Sequence, residues 1–109
     1  MADEVLKLLC SNAKLDRDRG VSQLESLLSS GIDSDSLHQF ENSFQQLFGD
    51  SESSWESLHG AFMGCCCLIR SSGCAEEFSS SCKDYAIRHL THNESRVRLA
   101  AGNEICIAD

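Results

Sequence analysis

Cysteine is the residue type here with the most potential for chemistry, since seven of the 109 residues are cysteines. A thiolate can act as a nucleophile or bind a metal ion. Cys65, Cys66 and Cys67 are consecutive, so on a helix they point about 100° apart and cannot share one metal ion. Cys74 and Cys82 follow at wider spacing, without the paired motif of a structural zinc site. The odd count argues against a disulfide framework. We predict small, buried, apolar cysteines, and the alternative is a thiol-based redox protein or enzyme using a cysteine at 65–67 or 74.

The four histidines are the next candidates, and they are scattered as His38, His59, His89 and His92. His89 and His92 lie three residues apart near a predicted helix end, where an imidazolium complements the helix dipole. A metal site there would lack a third ligand in the sequence, so we interpret all four as structural. No glycine-rich phosphate loop, G-x-S-x-G or His-Glu-x-x-His motif is present. We therefore predict no catalytic residue, no metal, no cofactor and no enzymatic activity.

Two polar segments match modification patterns. Residues 93–95 form an Asn-Glu-Ser glycosylation sequon, which a cytosolic chain would not use. The acidic, serine-rich segment 49–57 is a candidate for phosphorylation, with a helix-capping linker as the alternative.

Charge narrows the class of partner. Nine Lys and Arg against 17 Asp and Glu give a net charge of −8, which disfavours nucleic acids and anionic membranes. The longest apolar run is interrupted at Gly64 and is too short to span a membrane. The first four residues are acidic, unlike a secretory signal, so we expect a cytoplasmic or nuclear protein. The net charge predicts protein partners that bind through basic segments.

The elements that must position these residues are helices. Apolar residues recur at three- and four-residue intervals in six segments, without an alternating pattern of strand length. After a short first helix, the others are predicted to begin near residues 17, 34, 54, 75 and 94. Ser34 is a predicted cap, the fourth helix is predicted to start at Ser53 or Ser54, and Gly31, Gly49 and Gly73 are predicted ends. We predict an all-α fold.

Alternate helices begin about 37 to 41 residues apart. Such a period, with two helices per unit, is typical of helix hairpins stacked in an α-solenoid. A six-helix bundle accounts for the same pattern. In either case residues 1–109 form one domain.

The last hairpin resembles a HEAT repeat. The resemblance rests on seven positions: Ile87, Leu90, Asn93, Val97, Arg98, Ala100 and Ala101. Two further segments, Asp16–Val21 and Trp55–Ala61, are similar to the start of the second helix in such repeats. The resemblance covers most of residues 12–107 and implies about three HEAT or armadillo-like units. It implies a non-catalytic scaffold or adaptor that binds proteins on a concave surface, with Arg98 reaching the turn of an adjacent repeat. The alternative for Arg98 is a solvated surface charge.

Two predictions concern individual helix faces. Trp55, Phe62 and Ile69 lie at seven-residue intervals, which predicts one buried face on a helix over about 54–71. Ile105 and Ile107 place apolar side chains at the end of the chain, with no further repeat to cover them. This pattern predicts the N-terminal piece or a truncated isoform of a longer repeat protein, able to self-associate through its last repeat.

Overall fold

The computed structural model describes residues 2–71 and 76–108, with side chains described for 3–71 and 76–105. The chain is 81% helical, and no strand occurs in the described ranges. The prediction of an all-α fold with six helices is confirmed. They are α1 (Ala2–Leu9), α2 (Lys14–Ser30), α3 (Ser34–Gly49), α4 (Trp55–Arg70), α5 (Glu76–Arg88) and α6 (Ser95–Ala108).

Polar side chains determine where α3 and α4 begin. The Asp33 carboxylate accepts a hydrogen bond from the backbone N–H of Ser36 at 3.1 Å, so Asp33 caps α3 and the predicted cap, Ser34, is its first residue. A carboxylate also suits the positive end of the helix dipole. Ser54 caps α4 as predicted, because its Oγ accepts from the N–H of Ser57 at 3.2 Å.

The helix ends agree only in part with the predicted glycines. Gly31 follows α2 with a φ of 96°, a conformation that a residue with a side chain rarely adopts. Gly49 is the last residue of α3 rather than the residue after it. The helix α4 ends at Arg70, and the predicted end at Gly73 lies outside the described residues.

The helix α4 lies at the centre of the molecule and packs against each of the other five helices. Two of its glycines lie at close approaches that leave no room for a side chain. A Cβ at residue 60 would overlap the backbone carbonyl of Leu9, and a Cβ at residue 64 would overlap the ring of Phe44. The buried residues of α4 therefore surround nearly its whole circumference: Leu58, Gly60, Ala61, Phe62, Gly64, Cys65, Cys66, Cys67 and Leu68.

The predicted face of α4 is confirmed at its middle position. Phe62 is fully buried and packs on Phe48 with ring centroids 4.5 Å apart. Trp55 and Ile69 are only partly buried, because they lie at the two ends of the helix. The buried surface of α4 is thus centred on residues 58–68.

Arg98 does not form the predicted contact between repeats. Its Nη1 donates to the carbonyl oxygens of His92 and Asn93 in the turn that precedes its own helix. Side chains in a first helical turn lean toward the helix N-terminus, so this turn is the nearest acceptor. Arg17 occupies the same position in α2, and its Nη1 donates to the carbonyl of Ser11 at 2.9 Å.

The hairpins α1–α2 and α5–α6 each pack against α4. The radius of gyration is 12.4 Å, close to the roughly 13 Å expected for a compact chain of this length. The arrangement as a solenoid rather than a bundle stays a prediction. In the described part of the chain, the helices are all too short or too polar to cross a membrane.

Candidate functional site

A groove of about 250 Å³ lies between α2, α4 and α6. Its lining combines apolar side chains with cationic ones: Val21, His59, Met63, Cys66, Cys67, Arg70, Arg96, Leu99, Ala100 and Asn103. Depressions of about 400 and 420 Å³ also occur along α1 and α2. Those two are larger, but they are lined mainly by residues of α2 that bring no histidine, cysteine or aromatic ring together. We therefore take the groove between the three helices as the candidate site.

The groove is cationic although the chain is acidic. Its lining includes Arg70 and Arg96 and contains no carboxylate, although Glu94, outside the lining, pairs with Arg96 at 2.7 Å. Leu99 contributes an apolar side chain that is 67% exposed. The lining thus combines one exposed apolar side chain with the positive charges of two arginines.

Trp55 connects the three helices at one end of the groove. The guanidinium carbon of Arg96, from α6, lies 4.1 Å from the centroid of the Trp55 ring. The guanidinium carbon of Arg17, from α2, lies 5.1 Å from it. The His59 ring meets the indole edge-on, with centroids 6.4 Å apart. Cation–π attraction to one indole thus offsets part of the repulsion between the two guanidinium groups.

Arg17 is a buried cation without a carboxylate partner in the described ranges. Its side chain is 1% exposed and binds only neutral acceptors. Besides the Ser11 carbonyl, its Nε donates to Nδ1 of His59 at 3.2 Å. Taking a cation out of water costs several kcal/mol that neutral acceptors only partly offset. The positive charge therefore remains uncompensated beside the groove.

The contact with Arg17 fixes the protonation of His59. A guanidinium N–H can only donate, so Nδ1 of His59 must accept and the neutral ring carries its proton on Nε2. Burial, together with the charges of Arg17 and Arg96, lowers the pKa of His59 below its usual value. In the part of the chain with described side chains, Nε2 has no hydrogen-bond partner. At neutral pH this half-buried ring thus presents an N–H donor in the groove wall that has no partner among the described side chains.

The other three histidines make local contacts, and their structural role stays a prediction. Nδ1 of His38 lies 3.0 Å from a carboxylate oxygen of Glu41. Nδ1–H of His89 donates to the backbone carbonyl of Tyr85 at 2.6 Å, and Nδ1 of His92 accepts from a backbone N–H at 3.0 Å. Among the described residues, no group of three His, Cys, Asp or Glu side chains is placed to bind a metal ion.

The cysteines of α4 are buried, as predicted. Burial raises the pKa of Cys66 to about 12 and that of Cys67 to about 11, and it raises the pKa of Cys65 well above its usual value. The Sγ atoms of Cys65 and Cys82 lie 3.3 Å apart, and both residues are fully buried. The thiols of Cys65, Cys66 and Cys67 are therefore protonated at neutral pH and make poor nucleophiles. Cys74 lies outside the described residues.

Glu104 is a buried carboxyl on α6. The residue is 0% exposed, and neither carboxyl oxygen has a hydrogen-bond partner. Burial raises its pKa to about 7, although the positive charge of Lys83 acts in the opposite direction. The carboxyl therefore titrates near neutral pH.

The serine-rich segment before α4 serves as a capping linker. Ser53 Oγ donates to the carbonyl of Leu47 at 2.7 Å, and Asp50 Oδ1 accepts from the N–H of Glu52 at 2.9 Å. Phosphorylation of this segment stays a prediction.

Sequence reasoning missed the cluster around Trp55. Arg17, Trp55 and Arg96 all lie in the first turns of alternate helices, α2, α4 and α6. The sequence did contain a signal for this cluster, because all three residues lie close to the start of their helices. When neighbouring helices run parallel, residues near their starts lie side by side.

The sequence matches no protein-family model, no curated protein and no solved structure. The resemblance to HEAT and armadillo-like repeats stays a prediction.

Proposed function

We propose that this chain is a non-catalytic protein-interaction module of the cytosol or nucleus. Its groove between α2, α4 and α6 binds a segment of a partner protein that carries apolar and acidic side chains. The observation that carries the proposal is a groove lined by exposed Leu99 and by Arg70, Arg96 and His59, with no carboxylate.

The apolar part of the groove supports binding of a side chain from a partner. Leu99 lies on α6 opposite Met63 of α4, with Val21 of α2 in the same lining. Covering a leucine-sized side chain on both partners contributes about 1.5–3 kcal/mol for each fully buried group. One or two such anchors can supply a large share of the affinity of an interface.

The charges of the lining favour an acidic segment, whereas the net charge favours a basic one. Screening limits the reach of surface charge to about 8 Å at physiological salt. A segment seated in the groove therefore responds mainly to Arg70 and Arg96 rather than to the −8 of the whole chain. Net charge affects the approach of the partner, and the lining determines what stays bound.

The thiols support binding rather than catalysis. The cysteines of α4 are buried, and burial raises the pKa of Cys66 and Cys67 to about 12 and 11. The odd total of seven is typical of a reducing compartment. Thiol titration of the native chain tests this directly: slow labelling that accelerates in denaturant is expected, and one fast-reacting thiol among Cys65–Cys67 would favour redox chemistry.

Peptide display against the full chain tests the proposed function. Random peptides are selected on the wild type and then compared on two variants, Leu99→Asp in the groove and Leu15→Asp on the exposed face of α2. Leu15 is a matched control because it is 76% exposed and lies outside the groove lining. We expect selected peptides rich in Glu or Asp and large apolar residues, with affinity about tenfold weaker for Leu99→Asp only. Peptides rich in Lys or Arg, or equal affinity for both variants, would contradict the proposal.

A further inference from the structure

We infer that the groove contains a carboxylate subsite at its Trp55 end, formed by Nε2–H of His59 and the guanidinium of Arg96. It takes a Glu or Asp side chain of the bound segment. The inference rests on the proposed function, which it deepens by assigning one contact to named atoms.

The two donor side chains lie near each other, since both contact Trp55 and the charge of Arg96 acts on His59. The guanidinium carbon of Arg96 lies 4.1 Å from the centroid of the Trp55 ring, and the His59 and Trp55 rings are in a T-shaped contact with centroids 6.4 Å apart. Both side chains also line the groove. A carboxylate has two oxygens and accepts from two separate donors at once, so this pair matches it.

Each donor is held in place on its far side. Arg17 engages Nδ1 of His59, which leaves Nε2–H as the donor of that ring. Glu94 engages Nε of Arg96 at 2.7 Å, which leaves the Nη groups. Because these neighbours already hold the two side chains in position, less side-chain entropy is lost when a ligand binds.

The local charge favours an anion at this point. The charged groups that act on His59 are Arg17, Lys14 and Asp18 from α2 and Arg96 from α6. Arg17 is buried without an ion pair among the described residues. Glu94 already pairs with Arg96 through Nε, so a bound carboxylate would chiefly balance the buried charge of Arg17.

Arg88 provides a matched control within the same chain. Its guanidinium carbon lies 5.3 Å from the ring centroid of Tyr85, a cation–π contact like that of Arg96 with Trp55. Arg88 is exposed on α5 and does not line the groove. The variants Arg96→Gln and Arg88→Gln thus each remove one positive charge from a cation–π contact.

The first experiment uses small probes and needs no partner. The ¹⁵N-labelled chain is titrated with sodium butyrate, with neutral butyramide and with inorganic phosphate, while the imidazole resonances of the four histidines are followed by NMR. We expect His59 as the Nε2–H tautomer, and saturable shifts of His59 and the Trp55 indole with butyrate alone. Arg96→Gln should weaken butyrate binding about fivefold or more, and Arg88→Gln should not. An Nδ1–H tautomer, equal shifts with butyramide, or tighter binding of phosphate would overturn the assignment.

The second experiment separates the subsite from the docking proposal. Each acidic residue of a display-selected peptide is changed to its amide, and affinities are measured for wild type and Arg96→Gln. We expect one position whose change weakens wild-type binding about tenfold and Arg96→Gln hardly at all. If peptides bind in a Leu99-dependent manner but no position behaves this way, the subsite is wrong and the docking proposal stands. If butyrate binds at His59 but no peptide depends on Leu99, the docking proposal fails while the carboxylate site remains.

Discussion

The helices α4 and α6 are second members of neighbouring hairpins, yet they lie in opposite environments. The helix α4 is enclosed by five helices, whereas among the described residues α6 packs against α4 and α5 alone. On α4 the enclosed surface consists of glycine, alanine, cysteine and large apolar residues. On α6 small buried residues are accompanied by exposed Leu99 and by the buried carboxyl of Glu104.

The difference shows how one sequence separates stability from binding. Where a helix is enclosed, the neighbouring helices limit the space for each of its side chains, and small residues permit close packing. Where a helix has an open side, charged and apolar groups can face a partner. The groove lies along the boundary between these environments, with a rigid wall from α4 and an accessible wall from α6.

The largest expected effect comes from Gly60→Ala in α4. The added Cβ would overlap the backbone of Leu9, which cannot move without displacing the end of α1. We expect a loss of more than about 3 kcal/mol, or no folded chain, in urea denaturation followed by circular dichroism. Gly102→Ala in α6 is the control, because nothing lies within 4 Å of its added Cβ and alanine favours helix by up to about 1 kcal/mol. Equal effects at the two positions would refute the contrast between the helices.

Phe62→Ala should have the next largest effect. Phe62 is fully buried against Phe48, so truncation should cost about 3–5 kcal/mol of the free energy of unfolding. Ile69→Ala is the comparison on the same helix, and its partly buried side chain should cost about half as much or less. Denaturant melts that place the two losses within error of each other would show that the core of α4 extends to its C-terminal end.

Glu104→Gln tests the buried carboxyl of α6 through pH. The pKa of Glu104 is about 7 in the folded chain against 4.5 as reference, so between these values the folded state binds more protons. The stability contribution of this group is therefore fully present below pH 4.5 and is lost as pH rises through about 7. Relative to wild type, the glutamine variant should gain up to about 3 kcal/mol between about pH 5 and pH 8.

His59 contributes a pH dependence of the opposite sign. Its pKa is lowered in the folded chain, so its contribution is lost as pH falls below 6.5. His59 is present in both wild type and Glu104→Gln. The difference between their free energies of unfolding in urea therefore reports on Glu104 alone. Glu77→Gln, at an exposed position on α5, is the control for the loss of one carboxylate and should change the free energy of unfolding by less than about 0.5 kcal/mol. An unchanged difference from acid to alkaline pH would mean that Glu104 is solvated.

The smallest effect is expected for Arg98→Ala. Arg98 is exposed and binds only the carbonyls of the turn before α6, so its loss should cost about 0.5–1.5 kcal/mol. Arg17→Ala removes the equivalent bond in α2 together with the contacts to His59 and Trp55, and it should cost more. A loss at Arg98 equal to that at Arg17 would indicate a contact between repeats.

Features that depend on residues close together in the sequence could be predicted, and features that depend on more distant contacts could not. Helical periodicity and the Ser54 cap are local, and the sequence therefore predicts them. The cap by Asp33 was missed because aspartate and serine compete equally for that position. Arg98 was misassigned because its acceptor, six residues away, is set by side-chain direction rather than by repeat spacing.

The candidate site could not be predicted because it depends on contacts between distant segments. Arg17 and His59 are 42 residues apart in sequence, and their contact alone distinguishes His59 from the other histidines. The net charge also predicted a partner with basic segments, whereas the residues that line the groove favour an acidic one. Only the packing of α2 and α6 on α4 brings the cations together.

The central claim is that the charge of the groove, rather than that of the whole chain, selects the partner. The most direct measurement is the affinity of a display-selected acidic peptide and of a version with Lys at every acidic position, followed by fluorescence anisotropy. We expect the acidic peptide to bind about tenfold more tightly or better near physiological salt, with the ratio collapsing near 1 M salt. Tighter binding of the lysine peptide would show that the net charge of −8 selects the partner, and it would contradict selection by the charge of the groove.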